Sequence, residues 1–145
     1  MTSRLKIKDN LKIKTKNALG QNTGHLIPIY NINDEFLTNK EIPKQVYVTI
    51  VNPKKIKGPH LHFKRNGFFT CIDGNVKFVI KLKNSYKVVY SGERYKFKSV
   101  YVPKGTAVAI KCLGKKKAIV LNMPNPAWNP KMNDEHTAEF KDFKF

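Results

Sequence analysis

Phe68-Phe69-Thr70-Cys71-Ile72-Asp73-Gly74-Asn75-Val76-Lys77-Phe78-Val79-Ile80-Lys81-Leu82 places two apolar runs on either side of Asp73-Gly74-Asn75. Glycine accepts the positive φ of a tight turn, so the stretch predicts a β-hairpin of residues 68–72 with 76–82. Working outward, period-2 alternation recurs while helical periodicity is nearly absent. Strands are predicted at 5–7, 11–14, 26–30, 45–51, 60–64, 86–91, 95–102, 107–113 and 117–122, with Lys83-Asn84-Ser85, Ser91-Gly92-Glu93 and Pro103-Lys104-Gly105 as punctuation. Only residues 34–39 and the C-terminal tail leave room for a helical turn. Many short strands with regularly spaced turns predict an all-β jelly roll or barrel. After Met123 the character changes: Pro124, Pro126 and Pro130 interrupt any ladder, so residues 124–134 are expected to wrap over the barrel surface or mouth.

At 145 residues and 41% hydrophobic content, with no break in composition, the chain reads as one domain over 1–145. No apolar run approaches the roughly 20 residues that span a bilayer, and the start lacks a secretory h-region, so no membrane partner and a cytoplasmic location are expected. Cys71 and Cys112 lie far apart in apolar surroundings and read as reduced core thiols. The formal net charge of +18 attracts polyanions. Many lysines nevertheless alternate with apolar residues, as in Leu5-Lys6-Ile7-Lys8 and Ile80-Lys81-Leu82, which reads as the charged outer face of half-buried strands. No exposed basic-aromatic stripe or zinc-finger spacing accompanies them, so nucleic acid is not the expected partner.

Chemistry concentrates in Lys57-Gly58-Pro59-His60-Leu61-His62-Phe63-Lys64-Arg65. Histidines at i and i+2 of an extended segment share a face, bringing two groups that titrate near neutrality beside cations suited to phosphate. Adjacent Lys64 and Arg65 point oppositely, so only one of them can serve the same pocket. The segment also fits a hydrogen-bonded core histidine behind a solvated lysine edge.

The chain resembles the cupin superfamily, whose fold is a double-stranded β-helix. Gly58, His60, His62 and Gly74 fit the first cupin motif, and Pro103-Lys104-Gly105 fits the second. Asn66 and Gly67 stand where metal-binding cupins carry a glutamate, and Val108 stands where they carry a third histidine. Two histidines alone hold a first-row metal poorly, so the resemblance implies a metal-free cupin with no cofactor.

Within that superfamily the chain is similar to the WxcM-like nucleotide-sugar 3,4-ketoisomerases and their relatives, the dTDP-4-dehydrorhamnose 3,5-epimerases. Thr23-Gly24-His25-Leu26, Ile42-Pro43-Lys44-Gln45-Val46-Tyr47, and Lys57 through His62 to Cys71-Ile72-Asp73-Gly74 carry the likeness. Lys57 and Gln45 replace arginines, Gly67 replaces a glutamine and Val48 a tyrosine. The resemblance implies proton abstraction alpha to the ketone of a nucleotide-linked 4-keto sugar, for surface polysaccharide biosynthesis. It implies His60 and His62 as candidate bases with unassigned roles, and Tyr47, on a strand expected beside theirs, as a candidate acid or oxyanion donor. Lys57, Lys64 and Arg65 are the candidates for the diphosphate, and Trp128 for a nucleobase or as a pin for the tail. By likeness to the epimerases, Asp134 or Glu135 would orient a histidine, whereas His25 and His136 read as surface residues. A homodimer is implied, residues 5–14 of one subunit extending the sheet of the other. The alternative is a catalytically silent cupin that binds a sugar or sugar nucleotide.

Overall fold

A computed structural model describes residues 4–145. Twelve strands form among the described residues: β1 (Lys6–Asn10), β2 (Ile13–Lys16), β3 (Asn22–Leu26), β4 (Tyr47–Val51), β5 (Ile56–Leu61), β6 (Gly67–Asp73), β7 (Asn75–Lys81), β8 (Tyr86–Gly92), β9 (Phe97–Val102), β10 (Val108–Leu113), β11 (Ala118–Asn122) and β12 (His136–Thr137). Residues 34–39 and the tail form turns, and no helix occurs among the described residues.

β1-β9-β6-β11-β4 make one antiparallel sheet and β12-β5-β10-β7-β8 the other, while β2 and β3 pair alone as a hairpin. The turn at Asp73-Gly74-Asn75 is tight, with Gly74 at φ 73°. It does not close the expected hairpin, however. β6 runs between β9 and β11, and β7 runs between β8 and β10 in the opposite sheet. The turn therefore steps from sheet to sheet, and so do the connections β4–β5, β5–β6, β8–β9, β9–β10 and β10–β11. The local sequence marks the reversal, and its partners are set by packing: inward-facing residues of both strands must meet in one core. Val51, Cys71, Val76, Phe78, Ile80, Val100, Val108, Ile110, Cys112 and Val120, drawn from both sheets, do so. Both thiols are free and buried, and burial pushes the Cys71 thiol up to about 12.

Neither sheet presents a simply solvated outer face. Residues 29–41 lie over the first sheet, where Ile29, Tyr30, Phe36 and Leu37 pack on Phe68, Tyr101 and Met123. Lys6 there bonds the buried Glu41, and Lys8 sits over the Phe36 ring and 3.6 Å from Asp34. The strand predicted at 26–30 ends instead where it was expected to begin, because 27–30 turns away to form this cover. The C-terminal residues Ala138, Phe140, Phe143 and Phe145 clad the second sheet over Val79, Ala107 and Ala109, with Lys77 Nζ 5.6 Å from the Phe143 ring. β7 is consequently buried on both sides, which explains an apolar run too dense for clean alternation.

β1 finds its edge on β9 of its own chain, Lys6 opposite Tyr101 and Asn10 opposite Phe97. Lys6–Asn10 thus has a sheet partner within its own chain on one side and is the edge strand of that sheet on the other.

β5 begins earlier than expected and presses closely on β10. Gly58 has φ 87°, and a Cβ there would lie 2.8 Å from both the His60 amide nitrogen and the Val108 carbonyl oxygen. Gly58→Ala is expected to cost about 2–5 kcal/mol, combining a left-handed backbone with overpacking against main chain. A urea midpoint equal to that of the wild type would refute this account of the β5–β10 approach.

Candidate active site

The sheets part at one end around a cavity of about 310 Å³. Strand pleating aims Tyr47 and Thr49 of β4, Gly67 and Phe69 of β6, and Val108 and Ile110 of β10 into it, joined by Asn122 of β11. Lys57 and His60 of β5, three residues apart, both reach it across a shift in register, Lys57 standing opposite Ile110 and His60 opposite Val108. His62 and Arg65, from the segment that leaves β5, complete the wall with Asn66 and Glu135. The structure therefore brings together His60, His62, Tyr47, Lys57 and Arg65. Lys64 is exposed and does not line the cavity, while its neighbour Arg65 is 7% exposed. The expected opposition of these two side chains resolves in favour of arginine. Tyr47 differs from expectation in place: β4 pairs with β11, in the sheet opposite β5, so Tyr47 enters from across the cavity. Its hydroxyl accepts a 2.7 Å hydrogen bond from Asn122 Nδ2, whose Oδ1 takes the Phe68 amide.

The tail supplies the partners of both histidines. β12 pairs with β5, His136 opposite Leu61, and sets Asp134 and Glu135 against the histidine segment. Asp134 is 3% exposed, and its Oδ1 accepts hydrogen bonds from the amides of Phe63 (3.0 Å) and Lys64 (2.9 Å). Its main-chain carbonyl lies 3.0 Å from His62 Nδ1. A carbonyl only accepts, so Nδ1 carries the hydrogen and Nε2 is left as the basic nitrogen. Arg65 Nε, 3.4 Å from the same Nδ1, cannot donate to a protonated nitrogen and acts there through charge alone. His60 Nδ1 stands 3.3 Å from Glu135 Oε1, an arrangement that equally leaves Nε2 basic. Burial first, and the Arg65 charge second, hold the His62 imidazole below its ordinary 6.5, against the raising effect of Asp134.

Arg65 has an atom to spare. Its Nη1 is buried without a hydrogen-bond partner among the described residues. An unpaired buried donor costs roughly 1–3 kcal/mol, and a cationic one in a cavity wall suits an anionic or developing oxyanionic ligand. Trp128, 48% exposed, borders an adjoining recess with Gln45, Tyr47, Thr49, Arg65 and Glu135, and its amide donates to Gln45 Oε1 at 2.6 Å. Two chambers sharing Arg65 and Tyr47 can hold the two ends of one ligand. Asn66, Gly67 and Val108 do share the cavity with the two histidines, and none can complete a metal shell in the way that Glu or His would. Among the described residues no group of three or more His, Cys, Asp or Glu side chains is arranged to hold a metal ion. No helix among them is long and apolar enough to cross a membrane.

Two opposed antiparallel sheets, strands crossing between them at nearly every turn, and an inward His-x-His segment make this a cupin. The chain belongs to the WxcM-like, C-terminal family (FdtA), whose pattern matches residues 10–144. No curated protein gives a match to the sequence. Among solved structures, a dTDP sugar isomerase from Desulfovibrio desulfuricans G20 superposes with a TM-score of 0.76 at 13% identity, covering 97% of this chain and 87% of that one. The dTDP-6-deoxy-D-glucose-3,5-epimerase RmlC from Legionella pneumophila Philadelphia 1, in complex with dTDP-4-keto-L-rhamnose, gives 0.75 at 17% identity over 95% and 74%. A mutant of the 3,4-ketoisomerase QdtA from Thermoanaerobacterium thermosaccharolyticum, in complex with TDP-4-keto-6-deoxyglucose, gives 0.68 at 19% identity over 94% and 88%. At these identities the likeness is one of fold.

The His62 environment makes a pH prediction. Its folded-state pKa lies below the unfolded value, so above pH 6.5 the imidazole is neutral in both states and contributes no pH dependence. As pH falls below 6.5 the unfolded chain protonates first, and stability is lost until the folded-state pKa is passed. Arg65→Gln is expected to move the His62 titration, followed by imidazole NMR, upward toward that of a free histidine. An unmoved titration would remove Arg65 as a cause.

Proposed function

We propose that the protein is a metal-independent isomerase or epimerase that moves a proton alpha to the ketone of a nucleotide-linked 4-keto sugar. The observation that carries this reading is the pair His60 and His62, each with Nδ1 held by a tail acceptor, beside the unpaired donor of Arg65. A 4-keto group acidifies the C–H bonds at C3 and C5. A histidine Nε2 takes one of those protons, the C–H electrons become a C=C bond, and the ketone oxygen becomes an enolate or, once protonated, an enol. Returning a proton to the same carbon from the other face is epimerisation. Protonating C4 while the C3 hydroxyl loses its proton is 3,4-keto migration.

Neutral imidazole suits removal of the proton, and the fall in His62 basicity favours that form at neutral pH. Tyr47 stands on the cavity wall as donor to the developing oxyanion. Lys57 in the cavity and Arg65, which both chambers share, take the diphosphate, and Trp128 offers its face to the nucleobase in the outer recess. The relatives solved with TDP-4-keto-6-deoxyglucose and dTDP-4-keto-L-rhamnose support this class of ligand. One catalytic domain working in the cytosol on precursors of a surface polysaccharide is the setting that fits this chemistry.

Incubation with dTDP-, UDP- and GDP-linked 4-keto sugars in deuterium oxide, read at C3 and C5 by NMR, is the direct test. Deuterium uptake is expected in the presence of EDTA, and His60→Asn or His62→Asn, whichever removes the base, should slow it about 10²–10⁴-fold without unfolding the barrel. Binding without uptake at any carbon would replace the enzyme with a silent sugar-nucleotide-binding cupin.

A homodimer completes the proposal. Leu11, Ile13, Leu19 and Leu26 of the β2–β3 hairpin region are exposed, and a lone two-stranded hairpin is marginal in water. A second copy covering this region would give twice the monomer mass in light scattering at micromolar concentration. A monomeric mass would count against it.

A further inference from the structure

We infer that Asn122 is a positioning residue: it fixes the Tyr47 hydroxyl as a donor into the cavity, where that hydroxyl serves the ketone oxygen and is excluded as the base. The inference deepens the 4-keto-sugar reading above and rests on it. Ala118, Val120 and Asn122 share the inward face of β11, and the first two belong to the apolar core. Asn122 stands third in that row, 4% exposed, opposite Tyr47 of β4 on one side and Phe69 of β6 on the other. A buried amide in an apolar row is costly unless both of its ends are paired. Here the ends have different partners: Oδ1 accepts the Phe68 main-chain amide at 3.0 Å, and Nδ2 donates to the Tyr47 hydroxyl at 2.7 Å.

This orientation is forced. A main-chain N–H can only donate, and Phe68 is 1% exposed, so turning the Asn122 amide over would set two donors against each other and strand the Phe68 N–H away from water. With its oxygen accepting from Nδ2, the Tyr47 hydroxyl keeps its own hydrogen for another acceptor, and no described residue supplies one. Tyr47 lines both chambers, so that hydrogen is left for the ligand. When a histidine Nε2 removes the alpha proton, the C–H electrons form the C=C bond and the carbonyl π pair moves onto the ketone oxygen, which takes the Tyr47 hydrogen bond. If the proton crosses fully, the enol forms and the phenolate left on Tyr47 keeps the bond from Nδ2, now charge-assisted; the proton returns as the ketone is restored. A hydroxyl held in this way has no free lone pair aimed at a C–H bond, so base work stays with the imidazoles across the cavity.

The test reads deuterium uptake by the 4-keto sugars. Asn122→Asp is nearly isosteric and still accepts the Phe68 amide, but it presents an acceptor to Tyr47 and so turns the hydroxyl away from the ligand. It should lower the exchange kcat by about 10²-fold and change KM by less than about 3-fold, as Tyr47→Phe should, and the double variant should be no slower than either. Its rate relative to the wild type should fall further as pH rises and the new carboxyl ionises, because the acid form can still donate to Tyr47. Asn122→Ala leaves the hydroxyl free to rotate toward the ligand and should exchange faster than Asn122→Asp, whereas a purely structural role would make truncation the worse change. In the ligand-free wild type, nuclear Overhauser contacts from the Asn122 Nδ2 hydrogens should be stronger to the Tyr47 ring than to the Phe68 amide. Exchange by Asn122→Asp within about 3-fold of the wild type, additive losses in the double variant, an Asn122→Ala slower than Asn122→Asp, or Overhauser contacts dominated by Phe68 would overturn the inference and leave the enolisation reading standing. A wild type that binds the sugar nucleotides and exchanges at no carbon would overturn both.

Discussion

From β4 to β7 and from β8 to β12, consecutive strands of this chain cannot pair with one another, because each connection delivers the next strand to the opposite sheet. Everything else follows from that constraint. It makes most ladders non-local, as where β9 joins β6 and β10 joins β7. It also sends inward residues of adjacent chain segments to facing walls. The cavity is assembled in this way: β5 contributes His60 and Lys57 from one side, and β6 contributes Phe69 from the other. Gly58 and Gly74 matter because close main-chain approaches occur where strands enter or leave these crossings. A Cβ at Gly74 would come 2.6 Å from the Lys117 carbonyl.

The barrel supplies the imidazoles and the tail fixes their state. Asp134 is the joint between the two, its carboxylate taking two amides just beyond β5 while its own carbonyl faces His62 Nδ1. A side chain that satisfies backbone donors is hard to displace, since losing it strands two amides in a partly buried segment. The tautomer of His62 is thereby tied to the docking of a segment some seventy residues later in the sequence, and Glu135 extends the arrangement to His60.

Strand content was legible from alternation, and most predicted strands fall within two residues of those observed. Strand partnership was not, because Asp73-Gly74-Asn75 is as compatible with a sheet crossing as with a hairpin. Which one occurs depends on residues forty positions away. His60, His62 and Arg65 were visible as a cluster because their spacing is local. Tyr47 was visible as a residue and misplaced as a neighbour, for the same reason that the hairpin was. Asn122, which positions the Tyr47 hydroxyl, carries no sequence signal, being one amide at the end of an apolar strand. The outer faces were misread in one respect. Lysines alternating with apolar residues suggest solvent, yet Lys6 and Lys8 lie under residues 34–41 with their ammonium groups satisfied by Glu41 and Asp34.

The cladding of the second sheet by Phe140, Phe143 and Phe145 gives the molecule a modular character. These rings rest on the outside of a barrel whose interior is already filled by its own two sheets, and they clamp the chain just beyond the residues that meet the histidines. The attachment and the chemistry therefore reside on one continuous ribbon, separable from the core that displays the imidazoles. The state of the imidazoles thus depends on aromatic rings that never approach the cavity.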